Sequence, residues 1–79
     1  MVEMYFSPVE SSEWLKVRMS KLEISSLEHL ATLTEIDRGT ISRYFRHERR
    51  PSVDVIAPFC KALEVSPNTL LKVLGAIPK

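Results

Sequence analysis

The residues best suited to binding chemistry lie between positions 38 and 50, where five of the six arginines of the chain occur. This window holds five basic side chains and one acidic side chain, whereas residues 1–37 hold three basic and seven acidic ones. The positive charge is therefore local, although the net charge of the chain is only +1. Planar guanidinium groups match phosphate and the guanine edge. The window predicts a nucleic-acid-binding surface, and the alternative is a charged face that meets only solvent.

A short helix over residues 37–46 is predicted to present these side chains. Asp37 is a suitable N-cap, because its carboxylate can accept from free N–H groups and favours the positive end of a helix. Ile41, Tyr44 and Phe45 have the spacing of one apolar stripe. The other face is cationic, hydroxylic or very small, with Arg38, Gly39, Ser42, Arg43 and Arg46.

Catalytic and metal-binding patterns are not found in the sequence. His29 and His47 lack a second metal ligand at a useful spacing, and the two glycines are too few for a phosphate-binding loop. We therefore expect no enzyme activity, no catalytic residue, no cofactor and no metal. The single cysteine, Cys60, excludes an internal disulfide and fits a reducing cytosol, so we expect a cytoplasmic protein.

Length and composition indicate one small globular domain. The 79 residues are near the lower limit for a self-sufficient core, with 44% hydrophobic and 27% charged side chains. No apolar run approaches the ~20 residues that cross a bilayer, and no signal peptide is recognisable, so no membrane partner is expected.

Capping residues and apolar spacing predict five short helices, and therefore an all-α fold. The first helix is predicted to start with Ser11 or Ser12 as N-cap and to end near Leu22. The second starts at Ser25 or Ser26, and Glu28 at the capping-box spacing favours Ser25. On this basis we divide the chain into an N-terminal arm (1–11), a helical domain (12–75) and a tail (76–79).

The last two predicted helices follow the arginine-rich window. Ser52 caps a helix over residues 53–63, in which Pro58 is expected to cause a kink or to fragment the first turn. Ser66 and Pro67 open a fifth helix that ends before Gly75. Residues 25–33, a three-residue turn and the capped helix 37–46 together have the pattern of a helix-turn-helix.

At this point the chain resembles the lambda-repressor-like, Cro/C1-type helix-turn-helix family. The resemblance extends from Leu15 to Leu71. It is carried by Leu30-Ala31, Ile36-Asp37, Thr40-Ile41-Ser42-Arg43-Tyr44, Arg49-Arg50-Pro51-Ser52 and Lys61-Ala62-Leu63-Glu64-Val65-Ser66. It implies a compact five-helix domain whose third helix enters the major groove of DNA.

Position by position, the resemblance implies two sets of DNA contacts. The base-contacting set is Arg38, Gly39, Thr40, Ser42 and Arg43. The phosphate-contacting set is Arg46, Arg49, Arg50 and Ser26. An arginine paired with guanine O6 and N7 gives about 1–3 kcal/mol of discrimination.

Three positions differ from the pattern that this family usually has. Leu27 lies near the place of a polar residue, often glutamine, that begins the second helix. Glu35 occupies a turn position that favours glycine, which predicts left-handed backbone strain. Met19 and Phe45 take the places of a buried Arg–Glu pair and are expected to be in contact.

The resemblance implies a sequence-specific transcriptional regulator, expected to be a repressor. It also implies that the protein binds a near-palindromic double-stranded DNA site as a homodimer. The expected dimer interface comprises Leu70, Leu74, Ile77, Tyr5 and Phe6, because the fifth helix has more apolar side chains than one face can cover. The alternative is a protein-interaction module, such as a DNA-binding antitoxin, that uses the same apolar segments.

Overall fold

The structure is a computed structural model that describes residues 4–79, and this range contains five α-helices and no strand. The predicted all-α, five-helix fold is confirmed. The first three residues of the predicted arm lie outside the described residues. The helices are α1 (Pro8–Lys21), α2 (Leu27–Thr34), α3 (Arg38–Phe45), α4 (Val53–Leu63) and α5 (Pro67–Val73).

The start of α1 lies earlier than the sequence analysis placed it, because Ser7 is the N-cap. Ser7 Oγ accepts from the N–H of Glu10 at 3.1 Å, and the Glu10 carboxylate accepts from the N–H of Ser7 at 2.9 Å. Pro8 occupies the first helical position, where a missing N–H costs nothing. The predicted caps, Ser11 and Ser12, are therefore wrong, and residues 8–11 belong to α1 rather than to an arm.

The N-cap of α2 is Ser26 and not Ser25, which the capping-box spacing favoured. Ser26 Oγ accepts from the N–H of His29 at 3.1 Å. The ring of His29 completes the cap, since its Nδ1 accepts from the N–H of Ser25 at 3.2 Å. The carboxylate of Glu28 is thus not used in the cap and is available to another partner.

The helix α4 runs through Pro58 without interruption, so the predicted fragmentation is wrong. Asp54, whose carbonyl loses its helical partner, is exposed, and water can supply the missing hydrogen bond. The prediction for α5 is confirmed: Ser66 Oγ accepts from the N–H of Thr69 at 3.2 Å, and Gly75 follows the helix with φ of 74°. Glycine is favoured there because a left-handed φ strains other residues.

The core is formed where all five helices meet. Phe59 of α4 is at its centre, with no exposed surface, and packs edge-to-face against Tyr44 and Phe45 of α3 at centroid distances of 5.9 Å. The buried side chains are Leu15, Met19, Ile24, Leu30, Ile41, Tyr44, Phe45, Phe59, Leu63, Leu70, Val73 and Leu74. The apolar stripe of the predicted recognition helix thus anchors α3 in the core, and its other face stays accessible.

The helix α1 donates hydrogen bonds to the carboxyl ends of α3 and α5. The hydroxyl of Ser11, which is fully buried, donates to the carbonyl of Val73 at 2.5 Å and accepts from His47 Nε2 at 2.7 Å. Ser12 Oγ lies 3.5 Å from the carbonyl of Phe45. These bonds satisfy carbonyls that lack partners at helix ends, and they fix α3 relative to α1.

Arg18, the arginine outside the 38–50 window, performs the same task for α4. Its Nε donates to the carbonyl of Leu63 at 2.8 Å, and its Nη2 donates to the carbonyl of Glu64 at 2.7 Å. A guanidinium group at this place both pairs the free carbonyls and neutralises the negative end of the helix. Arg18 is therefore a structural residue.

We expect Arg18→Ala to lower the free energy of unfolding by about 1.5–3 kcal/mol, because two charge-assisted hydrogen bonds are lost. Arg18→Lys should recover part of this loss, since an ammonium group cannot bond both carbonyls with the geometry of the planar fork. Urea denaturation measures both variants, and Lys16→Ala, an exposed position on the same helix, is the control. Equal stability of Arg18→Ala and Lys16→Ala would contradict the structural role.

Candidate nucleic-acid interface

Residues 27–45 form a helix-turn-helix, as the sequence pattern predicted. At the end of α2, Thr34 Oγ1 donates to the carbonyl of Leu30 at 2.9 Å and accepts from the N–H of Ile36 at 3.2 Å. Glu35 has the left-handed backbone, with φ of 59° and ψ of 28°, that was predicted for this position. The chain then turns into α3, whose first turn is capped by Asp37 Oδ2, 3.1 Å from the N–H of Thr40.

The predicted base-contacting residues are all at least partly accessible. Arg38 and Arg43 are exposed, and the smaller residues between them are half-buried. Gly39 brings the backbone of α3 close to the surface, and Arg43 lies along it. A Cβ atom at this glycine would lie 3.9 Å from Arg43 Nη1 and 3.0 Å from Asp37 Oδ2. Glycine therefore leaves room for the Asp37 cap of α3, whereas the contact with Arg43 would be an ordinary van der Waals contact.

The guanidinium group of Arg38 is paired with a carboxylate of the preceding helix. Arg38 Nη1 donates to Glu28 Oε1 at 3.2 Å, and both side chains are mostly exposed, at 65% and 76%. Sequence analysis missed this partner and assigned Glu28 to a capping box. Only the packing of α2 against α3 brings together two residues that lie ten positions apart.

Two of the predicted phosphate-contacting arginines also have partners. Arg46 Nε lies 3.3 Å from Glu48 Oε2. The guanidinium carbon of Arg49 lies 5.9 Å from the ring centroid of Tyr44, within the range of a cation–π contact. Both arginines remain exposed at the end of α3 and in the loop that follows it.

Arg43 and Arg50 differ from the other arginines of the window. Within residues 4–79, neither forms an ion pair with an acidic side chain, and both are exposed. The predicted phosphate contact Ser26 is exposed at the start of α2, and its oxygen is used in the helix cap. Its hydroxyl hydrogen is still available to an acceptor. Within the 38–50 window, the exposed positive charge without an acidic partner thus lies at Arg43, Arg49 and Arg50, of which Arg49 contacts the ring of Tyr44.

The predicted dimer interface is corrected for two of its five residues. Leu70 has no exposed surface and Leu74 is 5% exposed, so both belong to the core of one chain and offer almost no surface to another. The prediction that α5 has an excess of apolar residues was wrong because α1 and α4 cover this helix. Ile77 and Phe6 are half-buried, and Tyr5 is 46% exposed.

The two ends of the described chain lie against each other. The N–H of Lys79 donates to the carbonyl of Met4 at 2.8 Å, and its Nζ lies 2.7 Å from Glu10 Oε2 and 5.2 Å from the ring centroid of Phe6. The hydrogen bond from Lys79 lowers the pKa of the Glu10 carboxyl, with a smaller contribution from the N–H of Ser7. We call the apolar residues around this contact the terminal surface: Met4, Tyr5, Phe6, Val9 and Ile77.

Met19 and Phe45 lie in one buried cluster, and their direct contact stays a prediction. Both line a groove of about 740 Å³ between α1 and α3. Its apolar lining residues Leu15, Met19 and Phe45 are only 6%, 9% and 2% exposed.

The described residues give little support for a metal site, a reactive thiol, a histidine on the arginine-rich face or a membrane span. Residues 4–79 contain no cluster of three His, Cys, Asp or Glu side chains that could hold a metal ion. Burial raises the pKa of the Cys60 thiol, which makes it less reactive. His47 is not directed at DNA, because it bonds Ser11 and packs against Gly75. No helix in this range is long and apolar enough to span a membrane.

Comparison with known protein families places most of the chain in a described family. The family model of the Cro/C1-type HTH DNA-binding domain matches residues 14–74, which include all of α2, α3, α4 and α5. No curated protein and no solved structure matches the chain. The matched range includes the helix-turn-helix, the arginines of the 38–50 window and most of the core. The family consists of DNA-binding regulators without enzyme activity. The chain belongs to the Cro/C1-type helix-turn-helix DNA-binding family.

Proposed function

We propose that this protein is a sequence-specific transcriptional repressor that inserts α3 into the major groove of double-stranded DNA. The observation that carries the proposal is the exposed positive charge on α3 and the loop after it, with Arg43 and Arg50 unpaired within the described residues. Repression follows from occupancy, since a domain that covers a promoter excludes other proteins from it. The protein is proposed to act in the cytoplasm.

The residues of the site divide into two groups. Base edges are read by the exposed face of α3, where Arg38 and Arg43 supply forked donors and the small residues allow close approach. This group is Arg38, Gly39, Thr40, Ser42 and Arg43. Phosphates are contacted by Arg46, Arg49, Arg50 and Ser26, which set the position of α3 in the groove but carry no sequence information.

The experiment that tests this function is the selection of bound sequences from a random pool of duplex DNA. We expect one motif to be enriched, with guanine at the positions that Arg38 and Arg43 contact. Binding to the motif should exceed binding to random duplex by at least about a thousandfold at physiological salt. Enrichment of no motif, or equal affinity for both kinds of duplex, would contradict sequence-specific regulation.

We further propose that two chains bind a near-palindromic site as a homodimer formed through the terminal surface. Met4 and Val9 are 66% and 73% exposed, which is unusual for large apolar side chains, and Tyr5 adds to the same region. The contact of Lys79 with Met4 and Glu10 joins the arm and the tail into one surface, so both segments can contribute. A two-fold arrangement would give an inverted repeat in the selected motif.

Val9→Glu is expected to convert the dimer to a folded monomer, because it places a charge in an apolar interface. Val17→Glu is the matched control, since Val17 is also an exposed valine of α1, at 53%, but lies two turns away from the terminal surface. Sedimentation at micromolar concentration distinguishes monomer from dimer. If the wild type sediments as a monomer both alone and on DNA, the homodimer proposal fails, and another protein becomes the expected partner of this surface.

A further inference from the structure

The ion pair between Glu28 and Arg38 joins the two helices of the helix-turn-helix at their amino ends. Glu28 lies in the first turn of α2, and Arg38 is the first residue of α3. Arg38 Nη1 lies 3.2 Å from Glu28 Oε1, and both side chains are exposed on the side of the domain proposed to meet DNA. A carboxylate at a surface that approaches phosphate lowers the affinity for DNA. The presence of Glu28 at this surface is therefore not explained by affinity.

We propose that Glu28 is a positioning residue that sets the sequence selectivity of Arg38. This inference rests on the proposed function, because it concerns how the same interface distinguishes one DNA sequence from another. Glu28 holds the guanidinium group in the orientation that meets a guanine and opposes its transfer to a phosphate.

The first step concerns geometry. A guanidinium group has five N–H donors, and the bond to Glu28 uses one of them on Nη1. Donors on the other nitrogens remain for the paired acceptors of a guanine. The arginine side chain is long and flexible, and one fixed partner restricts the orientations it samples before DNA arrives. Less ordering is then required when the base contact forms.

The second step concerns charge. If Arg38 leaves Glu28 for a phosphate on random DNA, it exchanges one anionic partner for another. The freed carboxylate then stands unpaired beside the phosphate chain, where like charges repel. A guanine offers O6 and N7 without a formal negative charge, so Arg38 can bond to it while it stays paired with Glu28. The carboxylate therefore weakens binding to random DNA more than binding to the selected site.

The neighbouring acidic residues do not have this role. The Asp37 carboxylate accepts from the N–H of Thr40 and caps α3. Glu35 is exposed in the turn and has no ion pair within residues 4–79. Glu35 therefore offers a matched control, because it carries the same charge in the same helix-turn-helix but does not touch Arg38.

The test compares Glu28→Gln with Glu35→Gln by measuring affinity for the selected site and for random duplex. We expect Glu28→Gln to tighten binding to random DNA about threefold or more, the scale of one exposed charge pair, and to lower the ratio of specific to random affinity. Guanine preference should relax at one base pair of each half-site. Glu35→Gln should tighten both affinities alike and leave the ratio unchanged. In an Arg38→Ala background, Glu28→Gln should no longer change the ratio.

Two results of the binding measurements would overturn the inference. One is an equal change of the ratio of specific to random affinity in Glu28→Gln and Glu35→Gln. The other is the same effect of Glu28→Gln on this ratio in the presence and absence of Arg38. Nuclear magnetic resonance of the Arg38 Nε–H group provides a readout without DNA. Its mobility should increase in Glu28→Gln and stay unchanged in Glu35→Gln, and no difference would also overturn the inference. If the wild type selects no motif, the proposed function itself fails. That result is known before any variant is compared, so it is distinguishable from a failure of the inference about Glu28.

Discussion

Phe45→Glu is expected to unfold most of the protein at room temperature. Phe45 is 2% exposed, packs edge-to-face against Phe59 and shares its cluster with Met19. The substitution removes a large apolar side chain, which alone costs about 3–5 kcal/mol. It also places a carboxylate in an apolar cluster, which costs several more kcal/mol or forces the group to take up a proton. A small domain has a total stability of only about 5–15 kcal/mol, so the loss is comparable with the whole.

The measurement is circular dichroism at 222 nm during urea and thermal denaturation. Phe45→Leu is the control for the lost ring, because it keeps an apolar side chain and should unfold cooperatively with a smaller loss of stability. Met19→Arg combined with Phe45→Glu should recover part of the loss by forming a pair across α1 and α3. A Phe45→Glu protein that melts within a few degrees of the wild type would contradict the buried position of Phe45.

Features that depend on neighbouring residues in the chain were predicted well. The left-handed backbone at Glu35 was implied by the family resemblance. The cap of α3 by Asp37 and the stripe of Ile41, Tyr44 and Phe45 follow from local spacing and side-chain chemistry. Each is decided within about one turn of helix, where capping rules and apolar periodicity apply directly. The family resemblance then gave the order of the helices.

The start of α1 shows where several local signals compete. Ser7, Ser11 and Ser12 can all act as N-caps by residue type. Pro8 and Glu10 complete the cap at Ser7, whereas Ser11 is needed inside the fold to bond the carbonyl of Val73. The second requirement arises only from tertiary packing, because Ser11 and Val73 are 62 residues apart.

The predicted dimer interface on α5 failed for a related reason. Leu70 and Leu74 are apolar and close to the end of the chain, which gives no indication of what covers them. In the fold, α1 and α4 pack on α5, and the apolar side chains that stay exposed lie elsewhere, among them Met4, Tyr5 and Val9. Contacts across the fold, such as those of Arg18 with α4 and Glu28 with Arg38, likewise need the positions of whole helices. These contacts include the proposed determinant of selectivity.

Arg43→Ala is expected to reduce affinity for the selected site by about tenfold to a hundredfold, which corresponds to the ~1–3 kcal/mol of a bidentate guanine contact. Arg43 is exposed and forms no ion pair within residues 4–79, so its removal should hardly change the stability of the fold. The loss should be specific: random duplex should bind only slightly less tightly, and preference should relax at one base pair of each half-site.

Arg50→Ala provides the contrast, because Arg50 lies in the loop after α3 and is assigned to phosphate. It should weaken binding to selected and random duplex by similar factors and reduce the salt dependence of binding by about one counterion per site.

The lysine variants distinguish charge from geometry at the two positions. Arg50→Lys should keep most of the affinity, since a phosphate contact requires mainly a positive charge. Arg43→Lys should keep the affinity for random duplex and lose much of the base preference, because an ammonium group lacks the planar fork that spans O6 and N7. Fluorescence anisotropy with selected and random duplexes at several salt concentrations measures all four variants. If Arg43→Lys bound both duplexes as the wild type does, Arg43 would contribute only charge, and the assignment of base reading to this face of α3 would be wrong.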